Sequence, residues 1–174
     1  MTTQPDFAAI DFETANSHPA SACAIGISAV TRGRIVTRSF LIRPPELKFS
    51  RRNIAIHGIT PAMAAGEPTF AELYPQIRAL LAAPDTWAHY APFDQGVLNA
   101  LAAHYKLPGL PRLQCTCRLS RRCFPGLRSH SLSVVCEHLG IPLKHHDPAS
   151  DAEACARIVL AATARNSRPA PQQK

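Results

Sequence analysis

Apolar residues in the first third of the chain fall into three short runs separated by polar segments. The run Phe7–Phe12 has an acidic residue near its end and is typical of a buried strand. The runs Ala22–Val30 and Ile35–Ile42 are joined by Thr-Arg-Gly-Arg, a glycine-containing turn that predicts a β-hairpin. We therefore expect three strands, and we expect Pro44 and Pro45 to end the third.

From Thr69 onwards the apolar residues follow the spacing of a helix. One face of this predicted helix carries Phe70, Leu73, Ile77, Leu80 and Leu81. The short apolar segment Trp87–Tyr90 predicts a fourth strand. Pro92 then lies where a proline can open a helix, and apolar residues recur at helical spacing from Phe93 to Leu101.

Two further helices are predicted before the chain ends. The segment Ser131–Leu139 predicts a short helix that ends at Gly140. Ser150, with Glu153 three residues later, has the capping-box pattern that begins a last helix. Strands followed by alternating helices and strands indicate one α/β domain with a mixed sheet. We assign this domain to residues 1–163, and we expect residues 164–174, which are polar and contain proline, to form a disordered tail.

The composition excludes several classes of protein and indicates an anionic partner. With 46% hydrophobic residues the chain is not disordered, and no apolar run approaches the ~18 residues of a membrane span. The N-terminal sequence lacks the basic start and apolar core of a signal peptide, so we expect a cytoplasmic protein without membrane association. The formal net charge of +7 attracts polyanions, among which nucleic acid is the leading candidate.

The spacing of the cysteines favours free thiols. None of the six belongs to a C-x-x-C pair, and this favours reduced cysteines over a disulfide framework. A zinc site formed by Cys115, Cys117 and Cys123 stays open as an alternative, although C-x-C-x5-C is not a common zinc spacing.

The few acidic residues carry the most information about chemistry. Asp11 and Glu13 are two positions apart at the end of the first predicted strand, so their side chains leave on the same face. Two carboxylates on one face repel each other unless a cation lies between them, and oxygen ligands suit Mg²⁺ or Mn²⁺. The alternative is a solvated strand end, because D-x-E is a frequent pattern.

Two more acids begin predicted helices. Asp94 lies in the first helical turn after the fourth strand, where the helix dipole favours a carboxylate. Asp151 opens the last helix, and four residues separate it from His146. A histidine in this loop can act as a general base near neutral pH. Taken singly, each acid also fits an ordinary helix start, and the histidine also fits a solvated loop.

Three segments occur in order along the chain: Asp11-Phe-Glu-Thr14, His89-Tyr-Ala-Pro-Phe-Asp94 and His146-x4-Asp151-Ala152. Together they resemble the motifs of the DEDDh 3′–5′ exonucleases, the family that includes the epsilon subunit of DNA polymerase III and RNase T. The resemblance extends from about residue 7 to residue 160 and includes the segments Ile56–Thr60 and Ser131–Ile141. Three motifs in the family's order are far more specific than any one of them.

The second motif departs from the family pattern, because Tyr90 stands where the family usually has Asn. That Asn is not a metal ligand in the family, so the change concerns local hydrogen bonding or substrate fit rather than the chemistry. In the third motif His145 adjoins His146, but only His146 has the four-residue gap to Asp151.

The resemblance implies a ribonuclease H-like fold with a mixed five-stranded sheet flanked by helices. It also implies a 3′–5′ exonuclease that releases 5′-mononucleotides from the 3′ end of single-stranded DNA. Two divalent metal ions, Mg²⁺ or Mn²⁺, are then expected to be held by Asp11, Glu13, Asp94 and Asp151, with His146 as the general base.

The same resemblance implies a binding site for the 3′-terminal nucleotide. Its expected contacts are Thr14, Ala15, His57 and Phe93. Seven basic residues are candidates for a track that binds the phosphates: Lys48, Arg51, Arg52, Arg118, Arg121, Arg122 and Arg128. Binding along such a track is expected to weaken steeply with salt.

Several alternatives stay open at this point. An exoribonuclease acting on RNA 3′ ends or on short oligoribonucleotides fits the same active-site plan. A non-catalytic nucleic-acid-binding module and a metal phosphodiesterase acting on small nucleotides fit less well. The resemblance is compatible with a monomer or a homodimer. It is also compatible with a polymerase partner, but little sequence follows residue 160, which favours a stand-alone nuclease.

Overall fold

A computed structural model of the chain describes residues 4–108 and 110–166. Its five strands form one sheet in the order β3-β2-β1-β4-β5. The strands are β1 Phe7–Thr14, β2 Ala22–Thr31, β3 Arg34–Leu41, β4 Thr86–Ala88 and β5 Leu113–Cys115. The predicted hairpin is present as β2 and β3, whereas the predicted fourth strand is shorter than expected and begins one residue earlier.

The central strand β1 has an antiparallel neighbour on one side and a parallel neighbour on the other. It pairs antiparallel with β2, with Asp11 opposite Gly26, and β2 pairs antiparallel with β3. On the other side β1 pairs parallel with β4, with Ile10 opposite Ala88, and β4 pairs parallel with β5. The prediction of a mixed five-stranded sheet is therefore confirmed.

Helices follow and cover the strands. In the described part of the chain they are α1 Arg51–His57, α2 Pro61–Ala64, α3 Phe70–Leu80, α4 Pro92–Tyr105, α5 Thr116–Cys123, α6 Leu132–Leu139 and α7 Pro148–Asn166. The capping box of α3 is complete, since Thr69 and Glu72 bond reciprocally. Gly140 ends α6 in the left-handed conformation that favours glycine, as predicted. Within the described ranges, no helix is long and apolar enough to cross a bilayer.

The alternation of side chains along β1 assigns its two faces to different helices. Ile10 and Phe12 pack in a large hydrophobic cluster with residues such as Phe70 of α3. Ala9 points the other way and packs against Cys155 of α7. Because side chains alternate along a strand, Asp11 and Glu13 are expected on the same face as Ala9. The sheet therefore turns its two strand acids towards α7.

The start of the last helix differs from the prediction. Helix α7 begins at Pro148, and the carboxylate of Asp147 accepts a hydrogen bond of 3.2 Å from the backbone N–H of Ser150. Ser150 therefore lies inside the first turn, and Asp147 supplies the bond expected of a capping residue. At the other end the helix continues to Asn166. The rest of the predicted tail, residues 167–174, lies outside the described residues.

Candidate active site

Three carboxylates from two elements converge on one point. Asp11 and Glu13 come from β1, and Asp151 comes from the first turn of α7. One carboxylate oxygen of each lies within 4.8 Å of those of the other two. The two-residue spacing on the strand and the packing of α7 over the same face bring together these three of the four acids expected to bind metal.

The approach of α7 to the sheet depends on a glycine. A β-carbon added at Gly26 would lie 1.8 Å from the carbonyl oxygen of Pro148 and 2.8 Å from the backbone nitrogen of Ala149. Gly26 is paired with Asp11 across the sheet. The residue without a side chain therefore lets the start of α7 sit directly beside the strand acids.

Asp94 lies close to the same acids but is held differently. The parallel pairing of β4 with β1 makes the chain leave β4 beside the end of β1, and Asp94 follows in the first turn of α4. Its Oδ1 accepts a hydrogen bond of 3.0 Å from the backbone N–H of Phe12. Among the described residues it is not part of the cluster within 4.8 Å. Asp94 is thus fixed against β1 as a neighbour of the three clustered carboxylates.

Burial raises the pKa of these acids, and repulsion between carboxylates adds to the rise for Asp11 and Glu13. Burial raises the pKa of Glu13 to about 8, and the charges of Asp151 and Asp94 add to this rise. Burial, and then repulsion from the same neighbours, holds the pKa of Asp11 well above its ordinary range. The pKa of Asp94 is raised to about 7 by burial, although the N–H of Phe12 acts in the opposite direction. Without a cation the site therefore holds acids that resist ionisation together.

One oxygen in the cluster has no protein partner. Asp151 Oδ2 accepts hydrogen bonds from the backbone N–H of His146 at 3.0 Å and from Nδ1 of His145 at 3.2 Å. Asp151 Oδ1 is buried and has no hydrogen-bond partner among the described residues. Such orphaned oxygens are rare in folded proteins, and a hard divalent cation satisfies them. The cluster of Asp11, Glu13 and Asp151 therefore fits Mg²⁺ or Mn²⁺.

Two stacked histidines lie beside Asp151 of the cluster. The rings of His145 and His146 are 4.0 Å apart between centroids and inclined by 17°. His146 has a positive φ of 64°, a left-handed conformation that is unusual for a residue with a side chain. Burial, and then the neighbouring His145, lowers the pKa of His146, so its ring is available as a neutral base.

The role of His145 was missed in the sequence. The spacing argument singled out His146, but the ring that bonds Asp151 directly belongs to His145. His146 contributes its backbone N–H to the same carboxylate oxygen, and ligand atoms of both rings lie within 4.8 Å of Asp151. The only signal in the sequence was the adjacency of the two histidines.

A pocket of about 560 Å³ opens beside the acids. Thr14 and His57 line it, and Nε2 of His57 lies 3.2 Å from the carbonyl oxygen of Thr14. Nδ1 of His57 accepts a hydrogen bond from the N–H of Ile59, so Nε2 carries the hydrogen and donates to Thr14. Asn53, which the sequence did not indicate, also donates to the Thr14 carbonyl at 2.7 Å.

Ala15 lies elsewhere than expected. It is fully buried, belongs to a small cluster with Cys23 and Ile59, and is not among the residues that line the pocket. Its backbone N–H is bonded to the carbonyl of Ser21. The strand alternation that turns Glu13 towards α7 is interrupted by a register shift between Glu13 and Thr14, so the positions beyond it could not be assigned to a face from sequence.

Two exposed aromatic residues also line the pocket. Tyr90 and Phe93 line the pocket with 64% and 48% of their surface exposed. Tyr90 has a positive φ of 61°, and it is followed by the start of α4 at Pro92. Large exposed aromatic faces beside a polar site are suited to stacking on a planar ring. The pocket thus offers both aromatic surface and hydrogen-bonding groups.

Next to Tyr90 in the chain, His89 forms a half-buried hydrogen-bond network with His130. Nε2 of His89 lies 3.0 Å from the carbonyl oxygen of His130, which can only accept, so Nε2 carries the hydrogen. Nδ1 then accepts from the hydroxyl of Thr116 at 3.0 Å. Burial lowers the pKa of His89 to about 4, which keeps the ring neutral. His130 is held in turn by Ser120 at 3.0 Å. The network ties the second motif to α5.

The seven predicted phosphate-binding residues lie on several different elements. Among them only Arg121 lines the pocket. Lys48 pairs with Glu46, and Arg128 pairs with Glu137. The remaining candidates lie on α1 and α5, namely Arg51, Arg52, Arg118 and Arg122.

The six cysteines are free thiols in the structure. The three that could have formed a zinc site, Cys115, Cys117 and Cys123, do not bring their sulfurs together within ligand distance in the part of the chain that the structure describes. Burial raises the pKa of Cys23 to about 12 and that of Cys136 to about 11, so these two thiols stay protonated at neutral pH.

Comparisons with known proteins relate the chain to nucleases. The RNase_T family model, described as an exonuclease, matches residues 8–159. DNA polymerase III subunit epsilon of Aquifex aeolicus is 29% identical over 159 residues, which are 88% of this chain and 78% of that protein. A solved structure of exonuclease X in complex with 5′-overhanging duplex DNA is similar with a TM-score of 0.75 and 27% identity, and the match covers 95% of this chain and 96% of that chain.

A second solved structure is similar in fold. The nuclease domain of 3′hExo, a DEDDh family member bound to rAMP, has a TM-score of 0.79 at 18% identity, with 98% of each chain covered. The ribonuclease H-like fold expected from the sequence is thereby confirmed. The chain spans only 11–12% of the length of the PolC-type DNA polymerase III proteins that it also matches.

Proposed function

This chain belongs to the RNase_T family of exonucleases, and we propose that it is a metal-dependent 3′–5′ exonuclease that acts on single-stranded DNA. In this proposal it removes 5′-mononucleotides one at a time from the 3′ end. The observation that carries the proposal is the cluster of Asp11, Glu13 and Asp151, whose one orphaned carboxylate oxygen lies beside a pocket that His146 also lines.

We assign the acids to holding two divalent ions, Mg²⁺ or Mn²⁺. Asp11, Glu13 and Asp151 supply clustered oxygens, and Asp94 supplies the oxygen that Phe12 does not occupy. When bound, the ions polarise the scissile phosphate and lower the pKa of the attacking water. The raised pKa values of these acids support the assignment, because carboxylates that repel one another gain most from an added cation.

His146 is proposed as the general base. Its pKa is lowered by burial, so the neutral ring can take the proton of the attacking water near pH 7. Its backbone N–H is anchored to Asp151, which fixes the loop over the acids. Its ring stacks on His145, which holds the same carboxylate oxygen from the side.

The 3′-terminal nucleotide is proposed to occupy the pocket of about 560 Å³. Phe93 offers a face on which the terminal base stacks. Thr14 and His57 line the same pocket and are assigned to orient the sugar and its 3′ hydroxyl. Such a pocket takes an unpaired end, because the last base pair of a duplex must open before its terminal nucleotide can enter.

Two substitutions test the assignment of roles. Asp11→Asn is expected to abolish cleavage and to weaken Mn²⁺ binding, because the clustered oxygens lose a charge. His146→Ala is expected to lower the turnover number about 10²–10⁴-fold while Mn²⁺ still binds. His104→Ala, on the last turn of α4, is the control and keeps wild-type values. Unchanged turnover in His146→Ala, measured with Mn²⁺ affinity by calorimetry, contradicts the base assignment.

A further inference from the structure

We call the pocket beside the clustered acids the active pocket. A second cavity of about 560 Å³ lies next to it, at the sheet edge formed by β5. Four arginines line this cavity, which we call the arginine groove: Arg112, Arg118, Arg121 and Arg122. The single tryptophan of the chain, Trp87 on β4, lines it as well.

The local structure places the arginines together. Arg118, Arg121 and Arg122 have helical spacing on α5, so they share one face of that helix. Arg112 comes from the segment that leads into β5. The buried face of α5 holds small side chains such as Cys117 and Ser120. The helix therefore packs closely and directs its long basic side chains outward.

These four charges are not neutralised by the protein. All four arginines are exposed, and none makes an ion pair or side-chain hydrogen bond with any residue in the described part of the chain. By contrast, Arg43 forms an ion pair with Glu72. No acidic side chain is among the described residues that line the groove. Four like charges in one concave surface favour an anionic ligand with several charges.

The groove adjoins the active pocket. The segment of residues 90–93 forms the wall between them: Tyr90 and Phe93 line the pocket, while Ala91 and Pro92 line the groove. Arg121 lines both. A strand whose last nucleotide lies in the pocket can therefore cross this wall and continue into the groove without leaving the protein surface.

We propose that the arginine groove binds the phosphates of the nucleotides 5′ of the scissile bond in a single strand of nucleic acid. Guanidinium groups present forked donors to phosphate oxygens. Trp87 adds an aromatic surface for a base, the combination found in proteins that hold single strands without reading sequence. This inference rests on the proposed exonuclease function, since that function sets the direction of the strand. The enzyme thus holds a strand of several nucleotides and not only its terminal nucleotide.

Binding in the absence of cleavage tests the groove separately from the activity. A fluorescently labelled 12-nucleotide strand is titrated in EDTA against wild-type protein, the double variant Arg118→Gln/Arg122→Gln and the control Arg34→Gln/Arg38→Gln. The control arginines are also exposed, but they lie on β3 at the opposite edge of the sheet. Arg121 is left in place because it also lines the active pocket.

The salt dependence gives the expected magnitude. Each phosphate contact of a single strand contributes about 0.7 to the slope of log K against log salt, so losing two contacts lowers the slope by about 1.4. The ratio of the wild-type binding constant to that of the groove variant then falls about sevenfold between 50 and 200 mM salt. The control variant is expected to keep the wild-type slope. Equal slopes in wild type and groove variant contradict the proposal.

The fluorescence of Trp87 gives a second measurement on the unmodified protein. A 12-nucleotide strand is expected to change its emission in EDTA, whereas a mononucleotide that fills only the active pocket is not. The proposal is overturned if the strand binds without changing the Trp87 emission and the groove variant also keeps the wild-type salt slope. If the groove measurements succeed but no strand is cleaved with Mn²⁺, the proposed function fails instead. If an acidic protein binds the wild type but not the groove variant, and the strand binds neither, the proposed class of ligand is wrong.

Discussion

Replacing Gly26 by alanine is expected to damage the active site without touching any proposed catalytic residue. The added β-carbon would lie 1.8 Å from the carbonyl oxygen of Pro148, whereas contacts of this kind are essentially never closer than 3.0 Å. The start of α7 must therefore retreat by about 1.2 Å. Asp151 lies three residues after Pro148 and moves with it, away from Asp11 and Glu13.

The cost can be estimated from this displacement. A misplacement of about 1 Å in a catalytic site lowers the rate about 100-fold, which corresponds to about 2.7 kcal/mol in the activation free energy. Forcing an extra methyl group into a packed contact lowers the free energy of unfolding by about 1–3 kcal/mol. The Gly26→Ala protein should therefore fold, melt at a lower temperature, bind Mn²⁺ more weakly and cleave DNA about 100-fold more slowly.

The assay compares kcat/KM on single-stranded DNA, Mn²⁺ affinity and the melting temperature. Gly66→Ala is the matched control, because a β-carbon there meets no atom within 4 Å and should leave all three quantities unchanged. A folded Gly26→Ala protein with more than a third of wild-type kcat/KM and wild-type Mn²⁺ affinity refutes the reasoning, since α7 would then not need its close approach.

Three other expectations follow from the site and from α4. The pKa of Glu13 is about 8, above its ordinary 4.5, so the folded state binds more protons than the unfolded state between these pH values. In EDTA the free energy of unfolding should therefore fall, on the order of 4 kcal/mol, as the pH rises from about 4.5 to 8. Thermal melts with and without Mn²⁺ check this, and a flat EDTA profile contradicts it. His145→Ala should lower activity about 10–100-fold through its lost bond to Asp151, with less loss than His146→Ala; equal losses contradict their separate roles. Gly96→Ala should raise the free energy of unfolding by about 0.5–1 kcal/mol, because α4 has open space there; a lower melting temperature contradicts this.

The sequence predicted most about the elements whose apolar pattern is strong. The apolar run Phe7–Phe12 and the helical spacing after Thr69 both correspond to real elements with buried residues. The spacing of Asp11 and Glu13 placed them on one face, and α7 covers that face. The candidate metal site could therefore be assembled in outline before its geometry was known.

The elements that escaped prediction lack such a pattern. Helix α1 buries none of its residues, so hydrophobic periodicity carries no signal there. Helix α5 buries Thr116, Cys117, Ser120 and Cys123, which are small or polar side chains. Strand β5 has only three residues. The arginine groove is built on α5 and β5, and its existence depends on tertiary packing that local patterns do not encode.

Contacts within the site were also beyond the sequence. The bond from the His145 ring to Asp151 occurs beside a left-handed backbone at His146, an unusual conformation for histidine. The burial of Ala15 follows a register shift after Glu13. Both are determined by the way the loops close over β1, and neither residue type signals them.

The most direct test of the proposed function follows the two ends of one strand. Single-stranded DNA, and RNA of the same sequence, carry a label at either the 5′ or the 3′ end and are incubated with Mn²⁺ or with EDTA. With Mn²⁺ the 5′-labelled DNA should shorten one nucleotide at a time, while the 3′ label leaves as a mononucleotide in the first turnover; EDTA should abolish both. A ladder that retains the 3′ label, internal cuts alone, or cleavage that persists in EDTA would contradict a metal-dependent 3′–5′ exonuclease.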